Sequence, residues 1–87
     1  MKVIMVKKRL ASGEECRRCQ EAEAFLRDKG LFLKVDVIVW FDESVSGDEG
    51  HRLAEQYGAE RAPFWIIEHP GREPEMIPTV MKLYRLL

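Results

Sequence analysis

The 87 residues carry 46% apolar and 33% charged side chains with a net charge of −1, the balance of one ordinary folded domain over residues 1–87. Near-neutral charge gives no broad field for nucleic acid or a membrane surface. The apolar run Val3-Ile4-Met5-Val6 is too short for a signal peptide or a membrane helix, so the expected setting is cytoplasmic.

In chain order, residues 2–7 read as a short buried strand centred on Val3-Ile4-Met5-Val6. Lys7 to Glu15 is polar, contains Ser12-Gly13 and reads as a loop. Ser12 and Glu15 have capping-box spacing, but Gly13 and Glu14 add little to an early turn, so a helix is predicted from Cys16. Over Arg17 to Lys29 the positions Cys19, Ala22, Phe25 and Leu26 form one helical face, and Gly30 supplies a left-handed stop. Cys16 then lies at an exposed mouth while Cys19 turns inward.

Leu31 to Trp40 (LFLKVDVIVW) predicts the strongest strand, with Lys34 and Asp36 marking a wetter face at its start. Ser46-Gly47-Asp48-Glu49 repeats the capping-box spacing and opens a second helix, with Leu53, Ala54 and Tyr57 on one side and Gly58 at its end. Pro63 leads a strand through Ile67, as a residue without an N–H belongs at a strand's first position or its edge. Residues 69–74 turn the chain into a short strand at Glu75-Met76-Ile77, and Pro78-Thr79 introduces a final helix from Val80 to Leu87. Phe64 and Trp65 alternate along their strand, which places one of them on a more exposed face. Trp40 and Tyr57 read as core or sheet-face residues, and His51 and His69 as surface residues without a role. The order β-α-β-α-β-β-α gives an α/β fold: a four-stranded mixed sheet flanked by three helices, with crossovers between parallel strands and one antiparallel hairpin.

Both cysteines lie in Glu15-Cys16-Arg17-Arg18-Cys19-Gln20. Two cysteines are too few to staple a secreted mini-domain, and in a reducing compartment such a pair is read as catalytic or metal-binding. A helix beginning at the first cysteine would aim unpaired N–H groups at that sulfur and favour the thiolate. Thiolate is the attacking species in disulfide exchange, so Cys16 is the expected nucleophile and Cys19 the resolving thiol. A static disulfide is the plainer alternative. A metal site needs two further ligands, and His51 and His69 do not have a zinc-finger spacing; a metal shared by the cysteine pairs of two chains stays open. Arg17 and Arg18 either favour acidic partner surfaces and anionic thiols or point into solvent. Lys7, Lys8 and Arg9 either add to that field or form a solvated charge run. Arg61, just before Ala62-Pro63, is a candidate anchor for a substrate carboxylate.

Cys16-Arg17-Arg18-Cys19 with Ala22, Phe25, Leu26 and Gly30, followed by Ala62-Pro63-Phe64-Trp65-Ile66-Ile67, resembles the thioredoxin-like superfamily, most closely a small glutaredoxin-like protein. The resemblance implies a cis Pro63 packed against the dithiol and an Ala62 backbone that pairs with an incoming substrate. It implies a thiol–disulfide oxidoreductase with no bound cofactor, glutathione or a thioredoxin-reductase-type partner as reductant, and a disulfide-containing protein or small thiol as substrate. A monomer is expected. Three departures stand out: Arg-Arg lies between the cysteines, the loop from Lys7 to Cys16 is longer than usual, and Pro78-Thr79-Val80 occupies the place where glutathione-using members carry a glycine pair and an acidic residue. The rival reading is a non-enzymatic adaptor or metal-binding module that docks a partner at the Pro63 edge.

Overall fold

The computed structural model describes residues 1–87. Strand β1 runs over Lys2–Arg9, β2 over Val37–Asp42, β3 over Phe64–Glu68 and β4 over Glu75–Ile77. Helix α1 spans Arg17–Asp28, α2 Glu49–Tyr57 and α3 Val80–Leu86. The sheet order is β2-β1-β3-β4, with β1 parallel to β2 and both remaining pairs antiparallel. This is the expected mixed sheet with three helices.

Period-two alternation in the two central strands divides the core. Val3, Met5, Trp65, Ile67 and Ile77 meet Ala22, Leu26 and Leu83 on the face covered by α1 and α3. Val6, Phe64 and Ile66 meet Leu53, Ala54 and Tyr57 of α2 on the other. Because helices cover both faces, Phe64 and Trp65 are both buried, which corrects the expectation that one would be more exposed.

Boundaries differ from the sequence reading at the end of β1, at both ends of β2 (Val37 and Asp42 where Leu31 and Trp40 were expected) and at the start of α2. Strand β1 continues two residues past Lys7, because Lys7 is buried in an ion-paired cluster and the parallel register extends to Arg9 opposite Asp42. The segment expected as one strand from Leu31 first coils into a 3-10 turn at Phe32–Lys34. The Leu31 N–H donates to the Leu26 carbonyl (2.8 Å) past the left-handed Gly30, so this residue belongs to the end of α1 and not to the sheet. At Asp36 the carboxylate accepts the Val3 N–H at 2.8 Å, and pairing then starts at Val37. Helix α2 is capped by Asp48 rather than Ser46. One Asp48 oxygen accepts the His51 N–H (2.9 Å), and the other accepts the Asp42 N–H (2.8 Å), fastening the helix to the end of β2. Gly58 ends that helix in the left-handed conformation, as expected.

Gly50, to which the sequence reading assigned no part, fixes how closely α2 approaches the sheet. A Cβ there would collide with the Trp40 carbonyl and the Phe41 backbone. Backbone cannot yield as a side-chain tip can, so Gly50→Ala is expected to cost about 2–3 kcal/mol, read as a lower denaturation midpoint.

Candidate functional site

The dithiol is placed by a closed loop between β1 and α1. Leu10 and Glu14 pair through their backbones (2.7 Å), Gly13 turns back on the Leu10 carbonyl at φ +95°, and Arg9 bridges to Glu15. Glu43, just after β2, holds the loop from outside, accepting the Ala11 N–H at 3.0 Å and pairing with the Lys8 ammonium at 3.1 Å. The chain thus reaches the first cysteine with its path set.

Cys16 is the N-cap of α1 and not its first helical residue, so the helix starts one position later than predicted, at Arg17. Its N–H donates to the Lys8 carbonyl (2.8 Å), and its own carbonyl accepts from the Cys19 and Gln20 amides. Its side chain is partly exposed, whereas Cys19 is completely buried among the residues under α1. Both thiols are free. The Lys8 N–H donates to the Cys19 sulfur at 3.2 Å, so a single residue's main chain holds both cysteines, its carbonyl on one and its amide on the other.

Burial pushes the Cys19 thiol up to about 12; the Lys8 amide opposes the shift, while the adjacent Cys16 thiol and the Glu15 charge add to it. Cys19 is therefore protonated at neutral pH. In the native protein a water-soluble alkylating reagent is expected to modify Cys16 and to react with Cys19 at least about a hundredfold more slowly, the difference vanishing in denaturant. Peptide mapping after timed quenching checks both rates.

Beside the dithiol lies a cluster that the sequence reading missed. The Lys7 ammonium sits 2.9 Å from Glu15 and 2.6 Å from Glu23, over the Trp40 ring at 4.8 Å. Glu23 also pairs with Arg27 at 2.9 Å. Burial works to lower the Lys7 pKa, but the hydrogen bonds and charges of Glu23 and Glu15 outweigh it and hold the group above the ordinary lysine value. The same Lys7 contact is the main cause that holds Glu23 below the usual carboxylate range, against its own burial. A signal existed: Glu23 follows Cys19 by four and precedes Leu26 by three, so it falls on the inward face of α1, where a lone charge requires a partner.

The Ala62–Pro63 peptide bond is cis. No hydrogen bond of the loops and turns involves the Ala62 backbone. From there a groove of about 450 Å³ runs between α1 and the start of α3. Arg18, Glu21, Ala22 and Phe25 form one wall; Arg61, Ala62 and Pro63, with Pro78, Thr79 and Val80, form the other. Of the residues picked out in the sequence, Arg18, Arg61, Ala62 and Pro63 come together. Cys16 caps the helix that makes the first wall without lining the groove itself, and Arg17 stays on the exposed first turn outside it. No three His, Cys, Asp or Glu side chains converge as a metal-ligating group, and no helix is long and apolar enough to cross a membrane.

No protein-family model and no curated protein matches this chain. Among solved structures, a thioredoxin from Thermus thermophilus is similar at 22% identity with a TM-score of 0.52, over 98% of this chain and 71% of that one. The fold is thioredoxin-like. In this thioredoxin-like domain the strand–loop–helix corner carries the cysteines, and the cis-proline segment borders the groove along the same helix.

Proposed function

We propose that the domain is a glutaredoxin-like thiol–disulfide oxidoreductase that cycles between a Cys16–Cys19 dithiol and a disulfide. The observation that carries this reading is the inequality of the two thiols: one partly exposed at a helix N-cap, the other fully buried three residues on and kept protonated. Cys16 thiolate attacks a substrate disulfide, one substrate sulfur leaves as a thiolate, and a mixed disulfide forms. Cys19 then attacks the Cys16 sulfur, expelling the second substrate sulfur, which takes up the Cys19 proton, and closing the Cys16–Cys19 bond. Two electrons pass from the dithiol to the substrate.

Burial of Cys19 suits the second step, because its proton need be lost only once the mixed disulfide has formed beside it. Ala62 and Pro63 receive the substrate backbone. The cysteines are the whole redox centre, without a bound cofactor; the domain acts as a monomer in the cytoplasm, and glutathione or a thioredoxin-reductase-type enzyme restores the dithiol.

The test is reduction of insulin or of a peptide mixed disulfide by the purified protein under a defined thiol buffer. The expected result is catalysed reduction, with oxidised protein lighter by two hydrogens and restored by reductant. An intact protein that cycles no disulfide would sink the reading and leave a docking role at the Pro63 edge.

A further inference from the structure

The groove has two chemically different ends, in a fixed order from the dithiol. Arg18 follows Cys16 by two residues and faces Arg61 across the groove. Neither guanidinium is in an ion pair within the chain, whereas Arg27 and Arg52 are each neutralised by a neighbouring glutamate. Glu21 is the one acidic side chain of the groove, so this end carries excess positive charge. Farther along α1 the walls become apolar, with Ala22 and Phe25 opposite Val80. Phe25 packs edge-on against Tyr84 with ring centroids 5.4 Å apart, and Tyr84 and Met81 are exposed, which carries the apolar surface outward onto α3.

Resting on the oxidoreductase reading, we propose that the substrate is an extended protein segment whose cysteine is closely followed, along the groove, by an acidic residue and then by a large apolar residue. Arg18 and Arg61 hold the acidic side chain; Phe25 and Val80 receive the apolar one. From Arg18 to Phe25 is seven helical residues, about 10 Å at ~1.5 Å per residue. An extended strand covers that length in about three residues at ~3.3 Å each. The acidic and apolar positions are therefore about three residues apart on the same side of the cysteine. A small anionic thiol satisfies the charged end alone, and the apolar end is what selects a peptide.

The experiment measures kcat/KM on peptide mixed disulfides that differ only near the cysteine. One carries Glu beside it and Leu three residues on; others carry Lys for Glu, Ser for Leu, or the same residues on the opposite side, and glutathione disulfide is run in parallel. The Glu–Leu peptide on one of the two sides is expected to exceed its Lys counterpart by about tenfold, the size of two partly exposed ion pairs, with the margin shrinking as salt is raised. The Ser peptide falls several-fold below it. The double charge reversal Arg18→Glu with Arg61→Glu is expected to invert the Glu/Lys preference. Circular dichroism and a cooperative urea unfolding transition confirm that this variant is folded. Equal rates for the Glu and Lys peptides, an unchanged preference in the folded reversal variant, or glutathione disulfide matching the best peptide would each overturn the proposal while leaving the oxidoreductase reading intact. No turnover of any disulfide would overturn both.

Discussion

If the domain is the oxidoreductase proposed, a Cys16→Ser protein is expected to form no mixed disulfide and to lose essentially all turnover, more than about a thousandfold, while Cys19→Ser, without added thiol, is expected to attack once and then stall with substrate bound. The asymmetry follows from the two surroundings. Cys19 has no exposed surface and a thiol pushed up to about 12, so it cannot stand in as the first nucleophile when Cys16 is gone. When Cys19 is gone, nothing inside the protein can break the bond that Cys16 has made. Mass spectrometry of the two variants after mixing with a peptide disulfide reads this directly: an adduct on Cys19→Ser and none on Cys16→Ser. Adducts in the reverse pattern would mean that the roles are exchanged.

The second large effect is on stability. Lys7→Met is expected to lower unfolding free energy by about 2–3 kcal/mol. The ammonium is the hub of the Glu15–Lys7–Glu23–Arg27 cluster, and removing it leaves two carboxylates close together and poorly hydrated. Those carboxylates keep some solvent contact, and Glu23 keeps Arg27, so the cost falls below that of a fully enclosed pair. The pH dependence has a defined sign. Glu23 is held below the usual carboxylate range, so its contribution is complete above the ordinary glutamate pKa and is lost as pH falls through its lowered value. Lys7 is held above the ordinary lysine value, so its contribution is complete below that value and is lost as pH rises through the raised one. Lys7→Met should flatten both flanks of the stability profile, measured by urea unfolding across pH. Adding Glu23→Leu to Lys7→Met should recover part of the loss, because it removes one of the stranded charges.

What the sequence made legible was mostly periodic. The spacing of Cys19, Ala22 and Leu26 separates the two sulfurs, one inward and one at the mouth, and Gly58 marks the end of α2. Pro63 at the head of a strand located the cis bond through family resemblance, not through spacing. What was not legible depended on partners distant in sequence. Lys7 looks like the start of a solvated basic run until Glu15 and Glu23 are brought onto it, and Leu31 looks like strand until its N–H is claimed by the end of α1. Gly50 carries no signal at all in one dimension, because its requirement is the absence of a side chain beside another element's backbone. The groove falls between these cases: Arg18 and Arg61 were picked out singly, but their joining and the exclusion of Arg17 follow from which side of α1 turns towards Pro63.

The contact that Lys8 makes with the cysteines has a consequence for how this corner tolerates change. Its amide meets one sulfur and its carbonyl meets the other residue's N–H, and neither group depends on which side chain position 8 carries. Any residue except proline, which lacks the donor, can keep that arrangement. The chemical setting of the pair is to that extent written in the course of the main chain rather than in the identity of its neighbours. Position 8 can therefore change its side chain without loosening either contact to the pair, and what a substitution gives up is the ion pair that ties the loop to Glu43.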